Sequence, residues 1–145
     1  MSESNHAVVF GASGVAGWGV TNQLLSNYPT AGSFATLTAI ANRPLMFEDS
    51  YWPAPSESTH SNLVSGVDLT EGTVEEFATK LFETIKYVKS VTHVFCFGYK
   101  QNNDPVEEVS TNCGMLKLAI CAIEWLAPNL KMVVFPSGTK VNLVT

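Results

Sequence analysis

The stretch His6-Ala-Val-Val-Phe10 runs straight into Gly11-Ala-Ser-Gly14-Val-Ala-Gly17. A short apolar run, a turn with three glycines and a helix-like continuation follow one another within a dozen residues. The spacing G-x-x-G-x-x-G is a glycine fingerprint of dinucleotide-binding turns. One glycine permits a tight turn from strand to helix. Another lets backbone N–H groups approach a pyrophosphate, and the last lets helix and strand pack closely. The helix N-terminus favours an anion, because its first N–H groups lack intrahelical partners and its dipole is positive there. The backbone of Gly11, Ala12, Ser13, Gly14, Val15 and Gly17 is thus a candidate phosphate cradle. A glycine-rich turn without a ligand is the plain alternative.

Outward from this turn, strand and helix patterns alternate, as in a doubly wound parallel sheet. Strand 1 is read at 6–10 and a helix at 15–27. Strand 2 is Leu37–Ala41, ended by Asn42-Arg43-Pro44. Residues 45–62 hold Trp52-Pro-Ala-Pro55 and no helical period, so a loop is expected where a helix usually follows strand 2. Strand 3 is read at 62–67. A helix over 73–88 carries Thr73 as N-cap with Glu76 three residues on, and Phe77, Leu81, Ile85 and Val88 form its apolar stripe. Strand 4 is read at 91–97. A long helix over 105–126 opens on Pro105, with Met115, Leu116, Ala119, Ile120 and Ile123 as a core-facing stripe. Strand 5 is read at 131–135. Right-handed crossovers then give the strand order 3-2-1-4-5, with the switch point between strands 1 and 4. A dinucleotide is expected across the carboxyl ends there, beside the glycine turn and Phe97-Gly98-Tyr99.

Composition agrees. Of 145 residues, 46% are hydrophobic and 14% charged, which suits strands buried on both faces. The length fits one domain over 1–145 with a sizeable core. A net charge of −5 and no basic stripe argue against a nucleic-acid partner. No apolar run reaches the roughly 18 residues of a membrane span, and the N-terminus lacks the pattern of a secretory signal. Three cysteines (Cys96, Cys113, Cys121) without a C-x-x-C pair read as reduced, buried thiols of a cytoplasmic protein. The histidines His6, His60 and His93 are scattered, so no metal site is expected.

Several segments together resemble one family, the atypical short-chain dehydrogenases typified by progesterone 5β-reductase and iridoid synthase, including fungal relatives. They are Gly11–Gly17, Ala41-Asn-Arg-Pro44, Gly66-Val-Asp-Leu69, Val91-Thr-His-Val-Phe95, Asn112 with Gly114, Asn129-Leu-Lys131 and Ser137-Gly-Thr-Lys140. The resemblance implies a Rossmann fold, NADPH as cofactor and reduction of a carbonyl or enone in a small-molecule substrate, in secondary metabolism. It implies an adenine contact by Asp68 and the backbone of Leu69. It places the family's catalytic lysine on Lys140, near the nicotinamide ribose. The tyrosine that works with that lysine lies some tens of residues further on, past Thr145. The chain as given is therefore expected to be incomplete and to show little hydride transfer. A non-catalytic NADP-binding sensor and an inactive fragment are the competing expectations.

Arg43 bears on the choice of cofactor. NAD enzymes place an acidic residue at the end of strand 2 to bind the ribose 2′-hydroxyl. Here the strand leads into Asn42 and Arg43, and the nearest acids are Glu48 and Asp49 in the loop. A guanidinium holds a 2′-phosphate bidentately, so Asn42 and Arg43 are candidates for the NADP(H) 2′-phosphate. A solvated strand-end arginine is the alternative. Asp68 also fits an Asx-turn at a strand exit. Phe97 and Gly98 join the cofactor candidates through their place at the switch point. Ser137–Thr139 fit a turn as well as a site. His93 is expected to be a satisfied core histidine, Trp18 to pack, and Trp52 to anchor its loop.

Overall fold

The computed structural model describes residues 4–136. Five parallel strands form one sheet: β1 (Asn5–Phe10), β2 (Phe34–Ile40), β3 (His60–Val64), β4 (His93–Cys96) and β5 (Met132–Val134), in the order β3-β2-β1-β4-β5. The helices are α1 (Val15–Leu25), α2 (Val74–Thr84) and α3 (Pro105–Leu126). The doubly wound topology expected from the alternating patterns is the one observed. Register pairs Val9 of β1 with Ala39 of β2 and with Phe95 of β4.

Strand β1 runs through the middle, and Ala7, Val8, Val9 and Phe10 are all fully buried. Successive side chains of a strand point to opposite faces, and the core divides accordingly. Ala7 and Val9 join Leu24 and Leu25 of α1 on one face. Val8 and Phe10 join Phe77 and Leu81 of α2 and Ala122 and Ile123 of α3 on the other.

Local chemistry sets the boundaries. The Thr73 hydroxyl accepts from the Glu76 N–H at 3.2 Å and caps α2. Asp104 caps α3 by accepting from the Val106 N–H at 2.9 Å, ahead of Pro105. Helix α2 stops at Thr84 rather than near 88. Ile85 is already extended and buried, and Tyr87 is left-handed (φ 59°), turning the chain into a 3-10 turn at Val88–Ser90. Strand β2 begins three residues earlier than expected, because Phe34 and Thr36 pair with the start of β1. Strand β3 begins two residues earlier, at His60 opposite Thr36. It ends before Gly66, whose φ of +76° breaks the ladder.

No α-helix follows β2, as expected, although Phe47–Asp49 makes a 3-10 turn. The loop is pinned to α1 by two indoles. Trp18 Nε1 donates to the Ser50 carbonyl at 2.7 Å, and Trp52 Nε1 donates to the Trp18 carbonyl at 3.2 Å. The buried Trp52 ring fills the α1-side core. Cys96 is buried, but Cys113 is exposed, correcting the expectation of buried thiols: it lies on the outward face of α3.

Candidate functional site

The glycine turn and the end of β4 interlock. Gly11 has φ +75°, and a Cβ there would lie 2.6 Å from the Gly98 nitrogen and the Phe97 carbonyl carbon. A Cβ on Gly17 would lie 2.1 Å from the Gly11 carbonyl oxygen. Neither position accepts a side chain without backbone movement, one by left-handed conformation and both by close approach. The turn is locked further by Gly14 N–H to Gly11 O at 3.0 Å and Ala12 N–H to Ile40 O at 3.0 Å. Phe97 N–H bonds Phe10 O at 2.9 Å and ties β4 to the same point. The sequence-derived candidates Gly11, Ala12, Gly17, Phe97 and Gly98 therefore meet at one place, the carboxyl ends of β1 and β4.

The first turn of α1 opens onto it. Gly14 is the N-cap and offers no side-chain cap, and no acidic residue occupies the first turn. Ser13, Gly14 and Val15 are exposed. The uncapped N–H groups and the positive end of the helix dipole make this an anion-accepting surface. The exposed Gly14 at the N-cap puts no side chain over these N–H groups, which suits the approach of a pyrophosphate to the backbone.

On the β2 side, Asn42 and Arg43 are exposed just past the strand. Among the described residues no hydrogen bond or ion pair holds the Arg43 guanidinium. Glu48 and Asp49 lie in the 3-10 turn beyond it.

Asp68 makes an Asx-turn. Its Oδ1 accepts from the Thr70 hydroxyl at 2.6 Å and the Thr70 N–H at 2.8 Å. These two bonds, the hydroxyl first, hold its carboxyl below the usual range. Leu69 reaches across to Gly98, where a Cβ would lie 2.9 Å from Leu69 Cδ1 and 3.5 Å from Met115 Cε. Beside them runs a groove of about 380 Å³ lined by Thr70, Lys100, Ser110, Thr111 and Met115. Lys140 and Ser137–Thr139 lie outside the described residues.

His93 is half-buried, its Nδ1 within 2.8 Å of Thr92 Oγ1, with Phe34 edge-on at 5.0 Å. Burial, then the Lys131 charge, lowers its pKa. It belongs to the packing, as expected. So does His6, which lies at the opposite end of β1. Burial pushes the Cys96 thiol up to about 12, so it is inert as a nucleophile. No cluster of metal-ligating side chains exists among the described residues. No described helix is long and apolar enough to cross a membrane.

Glu108 and Asn112 bind the loop that leaves β4 (Tyr99–Asn102), and reading the residue types alone gave them no role. Their signal is the four-residue spacing on α3 directly after a strand end, which puts both on one helical face.

Comparison with known proteins agrees with this geometry. A family model described as PRISE-like Rossmann-fold domain matches residues 7–144. The short chain dehydrogenase sirQ of Leptosphaeria maculans is 35% identical over 135 residues, covering 92% of this chain and 33% of that protein. The short chain dehydrogenase ausT of Aspergillus calidoustus is 31% identical over 137 residues, covering 92% and 32%. The chain thus spans about a third of the length of these relatives. Among solved structures, the MalC reductase/Diels-Alderase from Malbranchea aurantiaca superposes with a TM-score of 0.67 at 10% identity, covering 99% of this chain and 60% of that one. The nucleoside-diphosphate-sugar epimerase from Agrobacterium tumefaciens gives 0.65 at 20%, covering 95% and 38%. These structural likenesses concern the fold. With the family model matched from β1 to beyond β5, the chain belongs to the PRISE-like Rossmann-fold domain family.

Proposed function

We propose that this chain binds NADPH across the carboxyl ends of β1 and β4, as the cofactor-binding part of a short-chain dehydrogenase that reduces a carbonyl or enone of a small molecule. The observation that carries the reading is the interlock of Gly11, Gly17 and Gly98 under an uncapped helix N-terminus. This arrangement leaves backbone N–H groups bare where a pyrophosphate would sit. The names of the fungal relatives, short chain dehydrogenases, support the class of reaction.

When bound, the nicotinamide supplies the hydride. The chain's own residues bind and orient. The first turn of α1 holds the phosphates. Arg43, exposed past β2 with no partner of its own among the described residues, grips a 2′-phosphate. The Asp68–Thr70 turn and Leu69 form the adenine side, and Asp68 keeps Oδ2 for a donor while Oδ1 serves Thr70. Lys140 is the residue we assign to the nicotinamide ribose, where a cation binds hydroxyls and lowers the pKa of a nearby acid.

The test is a pair of fluorescence titrations. The unaltered chain should bind NADPH more tightly than NADH. Arg43→Ala should shrink that preference by roughly tenfold to a hundredfold, because a charge-assisted hydrogen bond contributes about 1.5–3 kcal/mol. Equal affinities for the two nucleotides in the unaltered chain would remove the role of Arg43.

A further inference from the structure

The carboxyl ends of β1 and β4 carry the glycine turn, and a second concavity lies toward their amino ends. It is a groove of about 590 Å³ where α2 gives way to the turn before β4, lined by Phe82, Ile85, Lys86, Tyr87, Val88 and Lys89. That volume is within the range of small-molecule sites. Ile85 and Val88 belong to the core, whereas Phe82 is 56% exposed and Tyr87 72%.

The backbone here is strained and firmly held. Tyr87 is left-handed, with φ 59° and ψ 36°, a conformation that costs energy for a bulky residue and marks ligand-binding turns more often than plain ones. The Ser90 N–H and the Ser90 hydroxyl both donate to the Tyr87 carbonyl, at 2.8 and 2.7 Å. Ser90 Oγ also lies 2.9 Å from Nδ1 of the buried His6. The turn is thus fastened to β1, and the strain sets a large aromatic ring at the surface instead of in the core.

Charge says what such a groove accepts. Lys80, Lys86 and Lys89 are three of the chain's eight lysines and arginines, close together in a chain of net charge −5. Lys80 donates to the Gly66 carbonyl at 3.0 Å. Lys86 and Lys89 have no hydrogen bond or ion pair among the described residues. The dipole at the end of α2 favours cations nearby, but it leaves both ammonium groups with donors to spare. Glu83 also lines the groove and offsets one of the two positive charges, so a single negative charge suits it better than a phosphate dianion. A cationic ligand would meet the lysines, and an uncharged one would leave them unused.

We propose that this groove is a second ligand site, taking a small carboxylic acid whose aromatic body packs against Phe82, Tyr87 and Val88 and whose carboxylate meets Lys86 and Lys89. It lies toward the opposite end of β1 from the glycine turn and does not depend on the dinucleotide reading.

The probes are 2-naphthoate and 2-naphthalenemethanol, which share an aromatic body and differ in charge. Each is titrated into the isotope-labelled full chain, and backbone amide shifts are followed by NMR. 2-Naphthoate should shift the amides of residues 82–90 and bind about tenfold more tightly than the alcohol. Changing both Lys86→Gln and Lys89→Gln should bring the two probes to equal affinity. Tyr87→Asn, which keeps a residue tolerant of the left-handed region, should weaken both probes without lowering the urea midpoint. Phe82→Ala, at an exposed position of α2, should weaken both as well. Shifts confined to residues 11–17 would put the probe in the glycine turn and overturn the proposal. So would equal affinities for the two probes in the unaltered chain, unchanged binding in both aromatic variants, or no saturable shift at millimolar probe.

Discussion

At the residue scale, the buried histidine of β1 shows how chemistry that looks catalytic serves packing. His6 is 1% exposed, with Nδ1 at 2.9 Å from Ser90 Oγ and Nε2 at 2.8 Å from Thr38 Oγ1. Ser90 in turn donates its hydroxyl proton to the Tyr87 carbonyl at 2.7 Å. That proton is aimed away from the imidazole, so the serine accepts from Nδ1–H and is not activated as a nucleophile. The ring is neutral and joins β1 and β2 to the turn before β4. Burial lowers its pKa from 6.5 to about 4. Between those values the unfolded chain takes up a proton that the folded one refuses. His6 therefore costs no stability at pH 7 but lowers it progressively as pH falls from about 6.5 to about 4, by up to ~3 kcal/mol. Urea unfolding of the unaltered chain and of His6→Asn at pH 7 and pH 4.5 checks this. The variant should lose less stability over that interval, and equal losses would assign the acid sensitivity to other groups. The site glycines were legible in sequence because their reason is local spacing. The Asx-turn of Asp68 was legible as one of two alternatives, and the structure shows Thr70 making it. An Asx-turn leaves the second carboxylate oxygen available, so the two alternatives are compatible.

At the element scale, the stretch from Pro44 to Thr59 matters most, because it stands where a helix normally covers the sheet. Sequence reading found the absence of a helix from its prolines and missing period. It did not find the mutual bracket of Trp18 and Trp52, since an indole N–H meeting a carbonyl more than thirty residues away leaves no local pattern. Trp18→Phe keeps the bulk of the ring and removes the donor to the Ser50 carbonyl. It should destabilise the chain by about 1–2 kcal/mol, the cost of leaving a part-buried acceptor unpaired. It should also open the loop to limited proteolysis ahead of global unfolding. A variant cleaved no faster than the unaltered chain would show that Trp52 alone holds the loop. The expected bounds of helix α3 match those observed, because Pro105 at its start and the absence of a further proline act within one or two turns, and the interior Gly114 is tolerated. Helix α2 was read too long, because its end is dictated by the need of Ile85 to enter the core.

At the scale of the whole molecule, one sheet separates two cores, and they share no buried residue. Leu81 is fully buried on the α2/α3 side and Leu37 on the α1 side. Each Leu→Ala change should cost about 2–5 kcal/mol. The double variant should lose the sum within about 0.5 kcal/mol, as for sites without shared partners. Denaturant unfolding of the four proteins measures it, and a larger deviation would mean that strain passes through β1 from one face to the other. The sequence by itself determined the architecture. Alternating strand and helix periods, a glycine turn after the first strand and right-handed crossovers leave one strand order, 3-2-1-4-5, and all of these act over short distances or by general rules of handedness. It also singled out the glycine turn and Arg43 as candidates for a phosphate cradle and a 2′-phosphate contact. Only the tertiary structure decided which distant side chains meet. The tie between the β4 loop and α3, the reach of Leu69 to Gly98 and the burial of His6 each join groups far apart in the chain or in different elements. Their geometry comes from how those elements pack, and packing distances are not written in residue spacing.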